Sequence, residues 1–253
     1  VTQVRNLTAR SVVLSTLLGT RPPVLPVRVL VRAGELFGIS EGTLRVALSR
    51  MLAAGEVEAF NGSYRLAGRL LERQVRQEAS REGAARAWRA SQPWRFAFVH
   101  GWLARRSAAD RSELRTAMRA LRMAELREGV WLRPDNLALA PSAVVAAQCV
   151  TAVGSLDDGV DPVALAARLW DVEGWAAHAH VLRHRLAQST LSGPAELAPG
   201  FVLSADVLRH FQADPLLPAE LLPANWPGPA LRDAYAEWDS AYRALLRSWW
   251  RAE

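Results

Sequence analysis

A chain of 253 residues, half of them apolar, can bury two or three separate cores, which excludes an intrinsically disordered protein. Its formal charge is +6, and its one cysteine, Cys149, excludes an intramolecular disulfide framework, so the cytoplasm is the expected compartment. The longest apolar stretches, such as 138–153, are too short or too interrupted for a bilayer span, and the opening residues around Arg5 and Arg10 lack the apolar core of a secretion signal.

All 31 basic side chains are arginines, a bias that together with the alanine richness fits a G+C-rich coding sequence, so their distribution says more than their number. Residues 1–76 hold eleven arginines and five glutamates, a net +6, while the remaining 177 residues hold 20 arginines and 20 acids. A polyanion is attracted to the first part and to little else, because phosphate neutralisation supplies most of non-specific nucleic-acid affinity. All ten tryptophans lie beyond residue 87, so two differently built modules are expected.

Taken in chain order, Val12, Val13, Thr16 and Leu17 fall at helical spacing behind a cap at Thr8 and are stopped by Gly19 and Pro22-Pro23. A second helix is predicted from Pro26, with Val27, Leu30, Val31 and Leu36 as its stripe and Gly38 at its end. Ser40 then caps a third, in which Leu44, Ala47, Leu48, Met51 and Leu52 form one buried face before Gly55. V-E-A-F and S-Y-R-L flank Asn61-Gly62, a dipeptide that favours a type I′ hairpin turn.

Helix, helix, turn, helix, hairpin is the order of a winged helix-turn-helix, whose third helix enters the major groove while the hairpin reaches phosphate or the minor groove. With Leu44, Leu48 and Met51 facing in, the DNA-reading side holds Ser40, Gly42, Thr43, Arg45, Ser49 and Arg50, supported by Asn61 and Arg65 on the wing. Arginine can pair bidentately with guanine O6 and N7, and Gly42 permits close backbone approach. The plain alternative is a solvated face on which Arg45 pairs with Glu41.

Residues 69–92 are helix-prone, charged and poorly patterned, as suits a linker helix. W-R-F-A-F-V alternates as a strand, an amphipathic helix follows from a cap near Asp110 or Ser112, and Gly129-Val130-Trp131-Leu132 forms another strand. Residues 143–152 fit a third strand or a short buried helix, and the pattern is helical over 163–170, 175–189, 203–212 and from Ala230 to about Trp250. A Pro-rich stretch at 214–229 interrupts it and is read as a rigid packed loop that fixes the last helix.

Three stretches carry a family resemblance: A-R-S-V-V-L-S-T-L-L-G with F-G-I-S-E-G-T-L-R-V-A-L-S-R-M-L-A-A-G, then W-R-F-A-F-V, then D-P-L-L-P-A-E-L-L-P-A-N-W-P-G. Over nearly its whole length the chain resembles the repressors of the phenylacetic-acid-degradation type, the PaaX family. The resemblance implies an α+β protein: a winged helix-turn-helix over 1–68, the linker over 69–92, a ferredoxin-like, Cas2-like middle domain over 93–158, and a mostly helical C-terminal domain over 159–253. It also implies a homodimer that leaves its double-stranded operator when it binds an aryl-acyl-CoA effector.

An aromatic acyl group could be held among the tryptophans, Trp102 included, with Arg105, Arg106 and Arg133 on the CoA phosphates. No catalytic residue, metal or cofactor is expected. His178, His180 and His184 lack an obvious partner ligand, and the end of the W-R-F-A-F-V strand carries Val99, His100 and Gly101 where a Cas2-like nuclease would place an acidic metal ligand. The rival readings are therefore such a nuclease, and a winged helix that binds protein instead of DNA.

Overall fold

The computed structural model describes residues 7–20, 22–68, 70–71, 88, 93–100 and 107–251. Most of the linker helix expected at 69–92, together with Trp102, Arg105 and Arg106, lies outside them. Contacts group the chain into two compact units. The first comprises Val1–Glu82, Ala179–Gln212 and Ala230–Glu253, and the second Gly83–His178 and Ala213–Pro229.

In the first unit α1 (Ala9–Leu18) starts at Thr8, whose hydroxyl accepts from the Ser11 amide at 3.2 Å. A three-residue strand β1 (Val24–Pro26) leads into α2 (Val27–Glu35), and Gly38, at φ 67°, makes the turn into α3 (Glu41–Ala53). Strands β2 (Val57–Phe60) and β3 (Ser63–Leu66) form the predicted hairpin, with positive φ at both Asn61 (45°) and Gly62 (70°), as a type I′ turn requires. β1 pairs antiparallel with β3 and closes a three-stranded sheet in the order β1-β3-β2. Leu17, Leu30, Leu44, Leu48, Met51, Val57 and Leu66 share one core, so the pose of α3 is fixed by α1, α2 and the hairpin together. Gly34 lets α2 and α3 meet closely, since a Cβ there would lie 2.6 Å from Leu44 Cδ1. One expected core residue differs: Leu52 is exposed.

Helices α8 (Leu197–Ala213) and α9 (Gly228–Arg251) belong to the same unit from Leu197 to Gln212 and from Ala230 onward. Along α9 the buried residues Leu231, Tyr235, Trp238 and Tyr242 recur at the spacing of one helical face. The Tyr242 hydroxyl donates to the Leu197 carbonyl at 2.8 Å, and burial pushes that phenol's pKa up. Gly200 makes this contact possible, for a Cβ there would stand 2.5 Å from the Tyr242 ring.

The second unit is a four-stranded antiparallel sheet in the order β5-β6-β4-β7, from β4 (Trp94–Val99), β5 (Ala124–Arg127), β6 (Val130–Pro134) and β7 (Cys149–Gly154). Helices α4 (Ala108–Ala120) and α5 (Ala143–Gln148) complete a β-α-β-β-α-β sequence of elements. Successive side chains feed opposite faces: Ala97 and Trp131 join Leu114, Met118 and Val145, while Trp94 and Leu132 join Leu165, Leu217 and Leu221. The second set includes α6 (Pro162–Leu169) and the Pro-rich loop, which is packed as expected but against this sheet, with Trp226 stacked on Trp175 at 4.5 Å. The remaining helix α7 spans Val172–Gln188.

Some boundaries differ from those the sequence predicts. Ser107 caps α4 and forms a capping box with Asp110, one turn before the Ser112 alternative. That helix ends at Ala120, Arg122 turns the chain with φ 57°, and the residues expected to continue it form β5. Residues 143–152 contain both alternatives in series, a short helix and then a strand.

Arg133, expected on an effector phosphate, is 2% exposed within the second unit. Nε donates to the Pro134 carbonyl, Nη1 to the carbonyls of Leu121 and Arg122, and Nη2 to Asn136 Oδ1 and the Leu216 carbonyl, at 2.7–3.3 Å. A guanidinium has five N–H donors, so all are occupied within the fold. Burial pushes its pKa down to about 9, with Arg122 adding repulsion and Asp135 opposing it.

Candidate nucleic-acid interface

The outward side of α3 is built by its cap and its period. The Ser40 hydroxyl accepts from the Thr43 amide at 3.3 Å and lies 2.9 Å from the Thr43 hydroxyl, which orders the first turn. Leu44, Leu48 and Met51 are at most 1% exposed, and that burial leaves Gly42, Thr43, Arg45, Ser49 and Arg50 exposed on the other side, with Val46 among them. The structure therefore brings the six residues predicted from Ser40 to Arg50 onto one helix face, with exposed Asn61 and Arg65 on the hairpin.

Arg45 is paired within its own helix. Its Nε donates to Glu41 Oε1 at 2.7 Å, and both side chains are more than half exposed. Arg65 Nε likewise donates to Glu58 Oε2 at 2.8 Å, beside the exposed ring of Phe60. Arg10 and Glu56 form a third pair, with Nε to Oε2 at 2.9 Å, and this hydrogen bond holds the Glu56 carboxyl below its usual range. Arg50 and Arg28 are exposed and, among the described residues, paired with no carboxylate.

Residue spacing alone does not single out Arg28. A cation in the first turn of α2 opposes the helix dipole, and a local rule broken at an exposed site is the signal that could have marked it.

Gly42 has no structural need to be glycine, since a Cβ there would meet nothing within 4 Å. Glycine in a helix costs up to about 1 kcal/mol relative to alanine. Gly42→Ala is accordingly expected to raise the denaturant midpoint slightly while weakening operator affinity, with chemical unfolding and fluorescence anisotropy as the two measurements. Unchanged affinity would mean that no backbone approaches this turn.

Among the described residues no three His, Cys, Asp or Glu side chains cluster as a metal site would need, and His178, His180 and His184 are exposed. No described helix is long and apolar enough to cross a membrane.

A helix-turn-helix followed by a hairpin places the first unit in the winged-helix class of folds. The model of the PaaX-like protein family matches residues 8–70, and that of the PaaX-like protein C-terminal domain matches residues 173–252; the chain belongs to this family of transcriptional regulators. It is also similar to the solved structure of uncharacterized protein Rv0674 from Mycobacterium tuberculosis, with 42% identity over 95% of this chain and 98% of that one and a TM-score of 0.72. No curated protein matches it.

Proposed function

We propose that this chain is a dimeric, cytoplasmic repressor that reads double-stranded operator DNA with the exposed face of α3 and is released by an aryl-acyl-CoA effector. The observation that carries the DNA half is the division of α3 itself: Leu44, Leu48 and Met51 lock it into the core while Gly42, Thr43, Arg45, Ser49 and Arg50 face outward. Arg28 and Arg50 supply cations for phosphate, and the hairpin presents Asn61 and Arg65.

Two copies would set two α3 helices in successive major-groove turns, roughly 34–36 Å apart or a multiple of that, on an inverted repeat. The sheet of the second unit, whose element order suits the ferredoxin-like reading, ends in the edge strand β7 with Val150 and Val153 more than half exposed, a surface suited to pairing with a second copy. An effector shifts such a dimer only through different affinities for the binding and non-binding geometries. Arg133, enclosed by carbonyls, has no donor left for an effector.

Genomic-fragment selection followed by affinity measurement across salt concentrations tests this assignment. The wild-type protein is expected to bind with a steep negative salt dependence, and Arg50→Ala to weaken cognate and random DNA alike while lowering the salt slope by about 1. Selection of no fragment, or affinity indifferent to salt, would favour a protein-binding winged helix.

A further inference from the structure

Within the first unit a cavity of about 380 Å³ lies between the helix-turn-helix and the C-terminal helices. Its apolar wall includes Leu36, Phe37, Phe201, Leu246, Trp249 and Trp250. Phe37 and Phe201 meet edge to face at 5.0 Å on one side of it, so the turn after α2 and helix α8 contribute to one aromatic surface.

The charge around this wall is one-sided. Arg209, Arg243 and Arg247 line it with a single carboxylate, Asp239, which accepts from Arg243 Nε at 2.8 Å. Arg209 shares Asp206 at 3.0 Å, whereas exposed Arg247 is paired, among the described residues, with no carboxylate. The Trp250 indole nitrogen is buried with no acceptor.

We propose that this cavity binds a small aromatic organic anion, its ring against the Phe37–Phe201 wall and its acidic end at Arg247. The volume is that of an ordinary small-ligand pocket, and apolar walls with a few fixed polar groups are what such ligands require. An aryl carboxylate and the aryl end of an acyl thioester with an anionic carrier both present this chemistry.

The position gives the ligand leverage on DNA binding, a consequence that rests on the repressor reading above. Arg243 Nη1 donates to the Gly19 carbonyl at the end of α1 at 2.5 Å, and Arg32 of α2 lies 4.3 Å from the Trp249 ring centre. Both α1 and α2 share the core that holds α3. A ligand wedged between α9 and these two helices therefore acts on the mounting of the reading helix.

Calorimetric titration of the full chain tests the site without DNA, using phenylacetate, phenylacetyl-CoA and the neutral phenylacetamide. One of the two anions is expected to bind saturably at one site per chain. Ala205→Trp, which fills the cavity, should abolish binding, and Arg247→Ala should weaken the anion by about tenfold while leaving the amide unaffected. Saturable binding of phenylacetate identifies the free acid as the source, and binding of phenylacetyl-CoA alone identifies the thioester.

The proposal is overturned if neither anion binds saturably, or if either variant binds as the wild type does. Arg247 is exposed, so its alanine variant remains decisive even if Ala205→Trp does not fold. A parallel gel shift separates the two hypotheses, because ligand-free protein that binds no DNA refutes the repressor assignment while the calorimetry still decides the cavity.

Discussion

Arg133→Ala is expected to destabilise the protein by about 3–5 kcal/mol, among the largest effects open to a single substitution here. The residue is 2% exposed and its five donors serve the carbonyls of Leu121, Arg122, Pro134 and Leu216 and the Asn136 amide oxygen. Removing the guanidinium strips those acceptors of their partner and leaves a cavity at the junction of β6 with the Pro-rich loop. Asn136 Nδ2, which also donates to the Leu216 carbonyl at 2.9 Å, would be left alone to hold that loop. Arg133→Met separates the causes, since it keeps most of the volume and supplies no donor. Recovery of the wild-type urea midpoint by methionine would show that packing, and not hydrogen bonding, is what the arginine provides.

The sign of the pH dependence gives a second check. Burial disfavours the charged form, so the pKa of Arg133 is pushed down to about 9 in the folded state, well below that of a solvated guanidinium in the unfolded chain. The cost is fully present below pH 9, and above it the unfolded chain holds the proton that the folded chain has released. The stability of the wild type relative to either variant should therefore rise through that window, since both variants keep Tyr242. Tyr242 acts in the opposite sense, because its raised pKa contributes stability that is lost only above its ordinary value of 10.

What was legible in the sequence followed from local physics. Ser40, the 3.6-residue spacing of Leu44, Leu48 and Met51, and Asn61-Gly62 each fix their own neighbourhood, so α3, its outward face and the hairpin could be read directly. The Glu41–Arg45 contact was visible too, as the alternative to base reading. Strand β1 was not, because three residues at the end of a proline-rich stretch become a strand only when β3 supplies their partners. Strand β5 was hidden because the helical pattern of α4 runs on past Arg122, a non-glycine residue that adopts a left-handed turn without any sequence signal. The carbonyl cage of Arg133 draws one acceptor from more than eighty residues away, and the cavity wall joins Phe37 to Phe201. Neither long-range meeting leaves a trace in residue spacing.

Arg45→Ala should lose about 1–3 kcal/mol on the cognate operator and less on random DNA, because a bidentate arginine–guanine contact is worth that much discrimination. The resting geometry makes the trade explicit. In the free chain Arg45 donates to Glu41, but that pair is more than half exposed on both sides, and an exposed ion pair contributes only about 0–1 kcal/mol. A guanine edge offered to Arg45 would therefore win the exchange. Glu41→Gln should move affinity the other way, tightening cognate and random DNA together, since it weakens the competing acceptor and removes a negative charge beside phosphate. Arg65→Ala, on the wing, should weaken both DNAs alike. The double variant Glu41→Gln/Arg45→Ala closes the cycle: with the arginine gone, glutamine keeps only the charge part of its benefit, so the two changes should not add. Equal losses on cognate and random DNA for Arg45→Ala, measured by anisotropy at one fixed salt concentration, would reduce Arg45 to a phosphate contact and move base reading elsewhere on α3.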